Sequence, residues 1–329
     1  MDNELDIAFA LVRSAIDGTP VEIGRQEAAV WWNLFRLMQR NHVAALTAET
    51  AAALAVPREV LIPWLAECDK AERWHRYQQE VQQDILSVMT KHGIEMLVLK
   101  GTHLAQYYPH PEQREFGDLD LYFYDRHDEA DRLAREVLKV TVSNDAHHHS
   151  KYNYRGVTVE SHYDFVNRHY PPSNRHYETL LKELAPSPTF EVLFLLRHMA
   201  GHFAASRLTL RDWVDWTLTC RALQEKVDWP LVQHTAAQYG MEPFLQEFNH
   251  IVTQPPSHSA TLSPLARDLV YGSVDDHAAD GVGRLVWKMR RWKALRWKRQ
   301  MVYSDSEWAL LLSSLTAHGG KPRSILHKM

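Results

Sequence analysis

One stretch of this chain leaves little freedom to the fold around it. The apolar run Ile94-Glu95-Met96-Leu97-Val98-Leu99 predicts a buried strand, and it breaks at Gly101 into a short helical segment. The chain then crosses the turn Tyr107-Tyr108-Pro109-His110-Pro111 and re-enters a strand at Gly117-Asp118-Leu119-Asp120-Leu121-Tyr122-Phe123. Side chains at i and i+2 of a strand share a face, so Asp118 and Asp120 project together while Leu119 and Leu121 point into a core. Two adjacent carboxylates repel each other unless a cation lies between them. Hard dications such as Mg²⁺ take oxygen ligands of this kind and commonly bring substrate phosphates with them. The pattern predicts a metal site on a sheet.

The flanks read as helix. Residues 1–93 carry three amphipathic segments, about Ile7–Ile16, Arg25–Ala55 and Arg58–Lys91, separated by Gly18-Thr19-Pro20 and Pro57. Nothing there has catalytic spacing. Residues 94–165 form the α/β candidate: after the Asp-x-Asp strand come a helix at Arg126–Val140 and two strands, Lys151–Tyr154 and Val157–Tyr163, joined at Arg155-Gly156. Glu160 and His162 share one face of the second strand. Residues 166–329 return to helix, with linkers expected at Thr253–Pro264 and Asp275–Gly283. The expectation is an α+β protein, mostly helical, with a small mixed sheet between helical regions.

Composition excludes several classes. At 329 residues the chain holds about two domains, or one catalytic unit with large helical additions. A net charge of −4 leaves no global basic excess for nucleic acid, so any such patch is local. The N-terminal segment lacks the basic start of a signal peptide, and no apolar run reaches the roughly 18 residues that span a bilayer. The only cysteines, Cys68 and Cys220, lie in unrelated contexts, which suits a reducing cytoplasm.

Lys100-Gly101, Tyr108-Pro109, Pro111, Arg114 and Gly117-Asp118-Leu119-Asp120, in this order, resemble a bacterial family of uncharacterised nucleotidyltransferases within the DNA-polymerase-β-like superfamily. The resemblance implies transfer of an NMP from a nucleoside triphosphate to an acceptor hydroxyl, with Mg²⁺ or Mn²⁺ held by Asp118, Asp120 and a third carboxylate. Glu160 arrives where that carboxylate is expected, although Asp is commoner there. Gly101 would let backbone N–H groups approach phosphate, aided by the following helix N-terminus. Thr102 keeps a hydroxyl where the superfamily usually has Ser. Arg114 is expected either to bind phosphate or to pair with Asp118, and Lys100 either to contact nucleotide or to form an ion pair. The acceptor, whether sugar, RNA, protein or small metabolite, is open. A non-catalytic nucleotide-binding protein and a metal-dependent phosphohydrolase remain alternatives.

Further features sit outside that motif. His198 and His202, with the Leu210-Arg211-Asp212-Trp213-Val214-Asp215-Trp216 segment, resemble the family's C-terminal helices. The two histidines are read as cleft-lining residues before zinc ligands, and Arg211 with Asp215 as an i, i+4 ion pair. His147-His148-His149 reads as a polar loop in which metal binding is non-specific. Residues 284–299 form a basic block with Trp287, Trp292 and Trp297. They are read as a packed helix with snorkelling stems before a phosphate-rich partner such as RNA.

Overall fold

The structure is a computed structural model and describes residues 4–144, 148–168, 171–254, 263–271 and 284–316. It is mostly helical, with one four-stranded mixed sheet, as the patterning predicts.

The N-terminal helices are α1 (Glu4–Asp17), α2 (Ala28–Arg40), α3 (Ala44–Ala52) and α4 (Arg58–Lys91). The single helix expected across residues 25–55 is two. Its break falls at Asn41 and His42, where His42 takes a left-handed φ of 55°. The Asn41 amide donates to the Leu37 carbonyl at 2.9 Å, and its side-chain oxygen accepts from the Leu210 N–H at 3.2 Å. One side chain therefore closes α2 and caps a helix 169 residues away, which offsets the backbone bonds lost at the break.

The sheet runs β1 (Leu97–Val98), β2 (Asp118–Tyr122), β4 (Val157–His162) and β3 (His149–Tyr154), in that spatial order. β1 is antiparallel to β2, β2 is parallel to β4, and β3 is antiparallel to β4. β1 is shorter than the expected Ile94–Leu99 strand because the Ile94 N–H is taken by the Met89 carbonyl at the end of α4. Arg155 and Gly156 both adopt positive φ, the geometry of a tight hairpin, and join β3 to β4 as expected. Helix α5 (Thr102–Ala105) is a single turn, and α6 (His127–Glu136) is four residues shorter than expected at its C-terminal end.

One sheet face is dry. Leu119, Leu121, Val157 and Val159 pack with Val81, Ile85 and Met89 of α4 and with Leu133 of α6. The other face carries Asp118, Asp120, Glu160 and His162. The register Asp118↔Thr158, Asp120↔Glu160 and Tyr122↔His162 sets these groups in adjacent rows. Because side chains alternate, a slip of one residue would bury the carboxylates among Val81 and Ile85, so the apolar face enforces the polar arrangement.

Over the polar face stand α7 (Asn174–Leu184), α8 (Pro188–Ala205) and α9 (Leu210–Leu223), backed by α10 (Trp229–Gln238), α11 (Glu242–Thr253) and α12 (Pro264–Tyr271). α8 and α9 share one hydrophobic cluster with α1, α2 and α3. The basic block forms α13 (Arg284–Val302), followed by α14 (Glu307–Thr316). Trp292 and Trp297 pack on the core, and Lys298 is fully buried against Asp268 at 2.6 Å and the Ser206 carbonyl at 2.6 Å. The block is a docked helix. Of the linkers expected at Thr253–Pro264 and Asp275–Gly283, Thr253 ends α11 and Pro264 begins α12, while residues 255–262 and 275–283 lie outside the described residues; no described helix is long and apolar enough to cross a membrane.

Candidate active site

Between the polar sheet face and helices α8 and α9 lies a cavity of about 600 Å³. Asp118, Asp120, Glu160 and His162 line its sheet side, His198, His202 and Arg211 its helical side. β2 and β4 are short and fully paired, so the carboxylates are carried on rigid backbone.

Asp120 is buried and held by two cation-capable groups: Lys100 Nζ lies 3.0 Å from Oδ1, and His162 Nε2 lies 3.1 Å from the same oxygen. Burial opposes ionisation, but Lys100 and His162 outweigh it and hold the carboxyl far below the usual carboxylate range. Asp118 is the opposite case. Its carboxylate makes no hydrogen bond or ion pair among the described residues, and burial first, then Asp120, push its pKa up. Glu160 sits 2.9 Å from Lys151 Nζ and 3.6 Å from His149 Nε2. Burial again works against the charged form, but His149 and Lys151 bring its pKa down on balance.

Gly101 stands at the entrance to α5 with φ 58°, and a Cβ placed there would lie 3.2 Å from the Phe116 ring. The backbone reaches the cavity only because no side chain intervenes. Two expected contacts differ. Thr102 turns its hydroxyl to the Gln82 side chain of α4 and does not line the cavity, and α5 is too short to carry an appreciable dipole. Arg114 lines the cavity and does not pair with Asp118: Nε and Nη2 grip the two oxygens of Asp215, each at 2.8 Å, and Nη1 donates to the Gly101 carbonyl at 3.2 Å. With both partners 4% exposed, Arg114 braces the Gly101 turn from below.

That pairing releases Arg211, which was expected to hold Asp215. Arg211 instead donates from Nη1 to the Glu115 carbonyl at 3.0 Å and faces the cavity, close enough for its charge to bear on Asp118. Asp212 closes a capping box with Thr209 and stands beside Arg211. The rings of His198 and His202 lie 4.4 Å apart between centres, tilted by 56°. Burial is the chief cause of their lowered pKa values, and Lys100 adds to it. His202 is exposed and lines the cavity.

Two groups of side chains bring ligand atoms within 4.8 Å of one another: Asp120, Glu160 and His162, and His148, His149 and His162. His147 lies outside the described residues.

A family pattern described as "Uncharacterised nucleotidyltransferase" matches residues 27–254, which takes in the sheet, the Asp pair, α8 and α9. The chain belongs to this nucleotidyltransferase family. No curated protein and no solved structure matches it. The cavity has carboxylates on its sheet wall and Arg211 on its helical wall. Sequence reading found the sheet wall through its period of two. It gave Arg211 as the i, i+4 partner of Asp215, because the contact that displaces it, Arg114 on Asp215, spans 101 residues.

Proposed function

We propose that this chain transfers a nucleoside monophosphate from a nucleoside triphosphate to an acceptor hydroxyl, with Asp118, Asp120 and Glu160 holding divalent cations. One observation carries the reading: Asp118 is a cavity-lining carboxylate with a raised pKa and no hydrogen-bond or ion-pair partner among the described residues, beside an Asp120 already held in its charged form. Such a pair calls for a dication, and the donor set is oxygen-rich as Mg²⁺ or Mn²⁺ require. When bound, the ions polarise the reacting phosphate and neutralise charge on the leaving pyrophosphate.

This chain's own residues would do the rest. Lys100 and Arg211 face the carboxylates from either side and supply positive charge for the triphosphate. Gly101 lets the backbone approach a phosphate oxygen. Glu160 is ionised, and its position beside Asp120 suits it to accept the acceptor's proton. His198 and His202, neutral at pH 7, offer hydrogen bonds without adding charge.

The test is incubation of purified protein with each α-³²P-labelled NTP and Mg²⁺ or Mn²⁺, with cell extract split into protein, RNA and small-molecule fractions, beside Asp118→Asn. Label in one fraction, lost in the variant, supports transfer and names the acceptor class. Binding of NTP with no label transferred would favour a non-catalytic protein. Labelled nucleoside monophosphate released into water would favour a phosphohydrolase.

A further inference from the structure

Three imidazoles converge toward one edge of the sheet, and one of them, His162, also contacts Asp120. His148 and His149 enter β3, and His162 ends β4 beside them in the antiparallel register His149↔His162. Their ring centres lie 4.5 Å (His148–His149), 5.4 Å (His148–His162) and 5.0 Å (His149–His162) apart. The Nδ1 atoms of both His148 and His149 are buried without a hydrogen-bond partner among the described residues. A buried polar atom left unpaired costs on the order of 1–3 kcal/mol, so two such atoms on neighbouring rings need an explanation. Glu160 closes the edge at 3.6 Å from His149 and 3.9 Å from His162.

We infer that His148, His149 and His162, with Glu160 beside them, form a binding site for a first-row transition-metal dication. Three imidazole nitrogens and one carboxylate oxygen suit Zn²⁺ or Co²⁺ and are a poor set for Mg²⁺, which prefers oxygen. The site adjoins the Asp pair through the second converging group, Asp120 with Glu160 and His162, while Asp118 belongs to neither group and serves as the control. The inference does not depend on the transfer reaction, because binding is measured without nucleotide.

Metal-stripped full-length protein is titrated with Co²⁺ and followed by visible absorption, then with Zn²⁺ followed by the thermal midpoint. His148→Gln, His149→Gln and Asp118→Asn are run in parallel, each checked for native circular dichroism. The expected result is one equivalent of Co²⁺ with visible bands, displaced by Zn²⁺. Affinity should fall about tenfold or more in each histidine variant and hold in Asp118→Asn. Zn²⁺ should raise the midpoint of the unsubstituted protein. Absence of a stoichiometric Co²⁺ site in the unsubstituted protein would overturn the inference. So would binding that survives both histidine variants, or that follows Asp118 alone. Loss of nucleotidyl transfer with this site intact would count against the catalytic reading only.

Discussion

Arg114 and Asp215 meet as a two-pronged ion pair, Nε on one carboxylate oxygen and Nη2 on the other, both at 2.8 Å and both out of water. The Tyr108 hydroxyl donates to the same carboxylate at 2.7 Å. This knot joins the turn that shapes Gly101 to the helix that carries Arg211, so one contact sets both cavity walls. Removing one member leaves a buried charge uncompensated. Asp215→Ala should therefore lose about 3–5 kcal/mol in denaturant unfolding. Arg114→Lys should recover little, since an ammonium cannot reproduce the fork. A double variant, Arg114→Met with Asp215→Leu, should be more stable than Asp215→Ala. If it is not, the knot is not the buried pair described.

Asp118 should show the opposite balance between stability and activity. Its charge is disfavoured by burial and by Asp120, so Asp118→Asn relieves strain in the metal-free protein. The thermal midpoint should rise, at about 2–4 °C for each kcal/mol gained. Transfer should drop on the order of a hundredfold or more, the loss expected when several kcal/mol of charge stabilisation are removed. Unchanged turnover would defeat the catalytic assignment.

Gly101→Ala adds a methyl 3.2 Å from Phe116 at a φ of 58°. Backbone strain of this kind costs roughly 1–3 kcal/mol. Trimming Phe116 to Leu in the same chain should recover only part of it, because the φ strain stays. Urea midpoints of the single and double variants measure both contributions.

Glu115 gives a pH signature. Burial raises its pKa above the ordinary 4.5, partly offset by the Ala45 N–H at 3.0 Å. The folded state thus holds this proton more tightly than the unfolded chain does. Its contribution to stability is full below pH 4.5 and is lost as pH rises through the folded value. Glu115→Gln keeps an acceptor for Ala45 and removes the titration. The variant's stability relative to the parent should grow from pH 4.5 upward, measured as the difference in unfolding free energy. A constant difference across that range would show that Glu115 does not titrate this way.

Local pattern made the sheet legible. Leu119 and Leu121 alternate with Asp118 and Asp120, and that alone placed both the dry face and the reactive one. The Arg155-Gly156 hairpin was equally plain. What stayed hidden were choices between partners far apart in the chain. Asp215 had Arg211 one helical turn away, yet it takes Arg114 from another element. Thr102 had a phosphate-facing precedent, yet it turns to Gln82. The break at His42 carries no glycine or proline, and what makes it stable is Asn41 bonding to Leu210, which no local window contains. The histidines at residues 148 and 149 read as loop because only His162, folded in from β4, gives them a common point.

The shared family pattern stops at residue 254, but the cavity does not. Arg299 in α13 and Tyr303 just after it form part of its wall, and the buried Lys298–Asp268 pair anchors that helix from residues that also lie beyond the pattern. The pattern thus takes in the sheet wall and the α8–α9 wall but not the segment that closes the far side, so the enclosure of this cavity depends on residues that the family pattern does not describe.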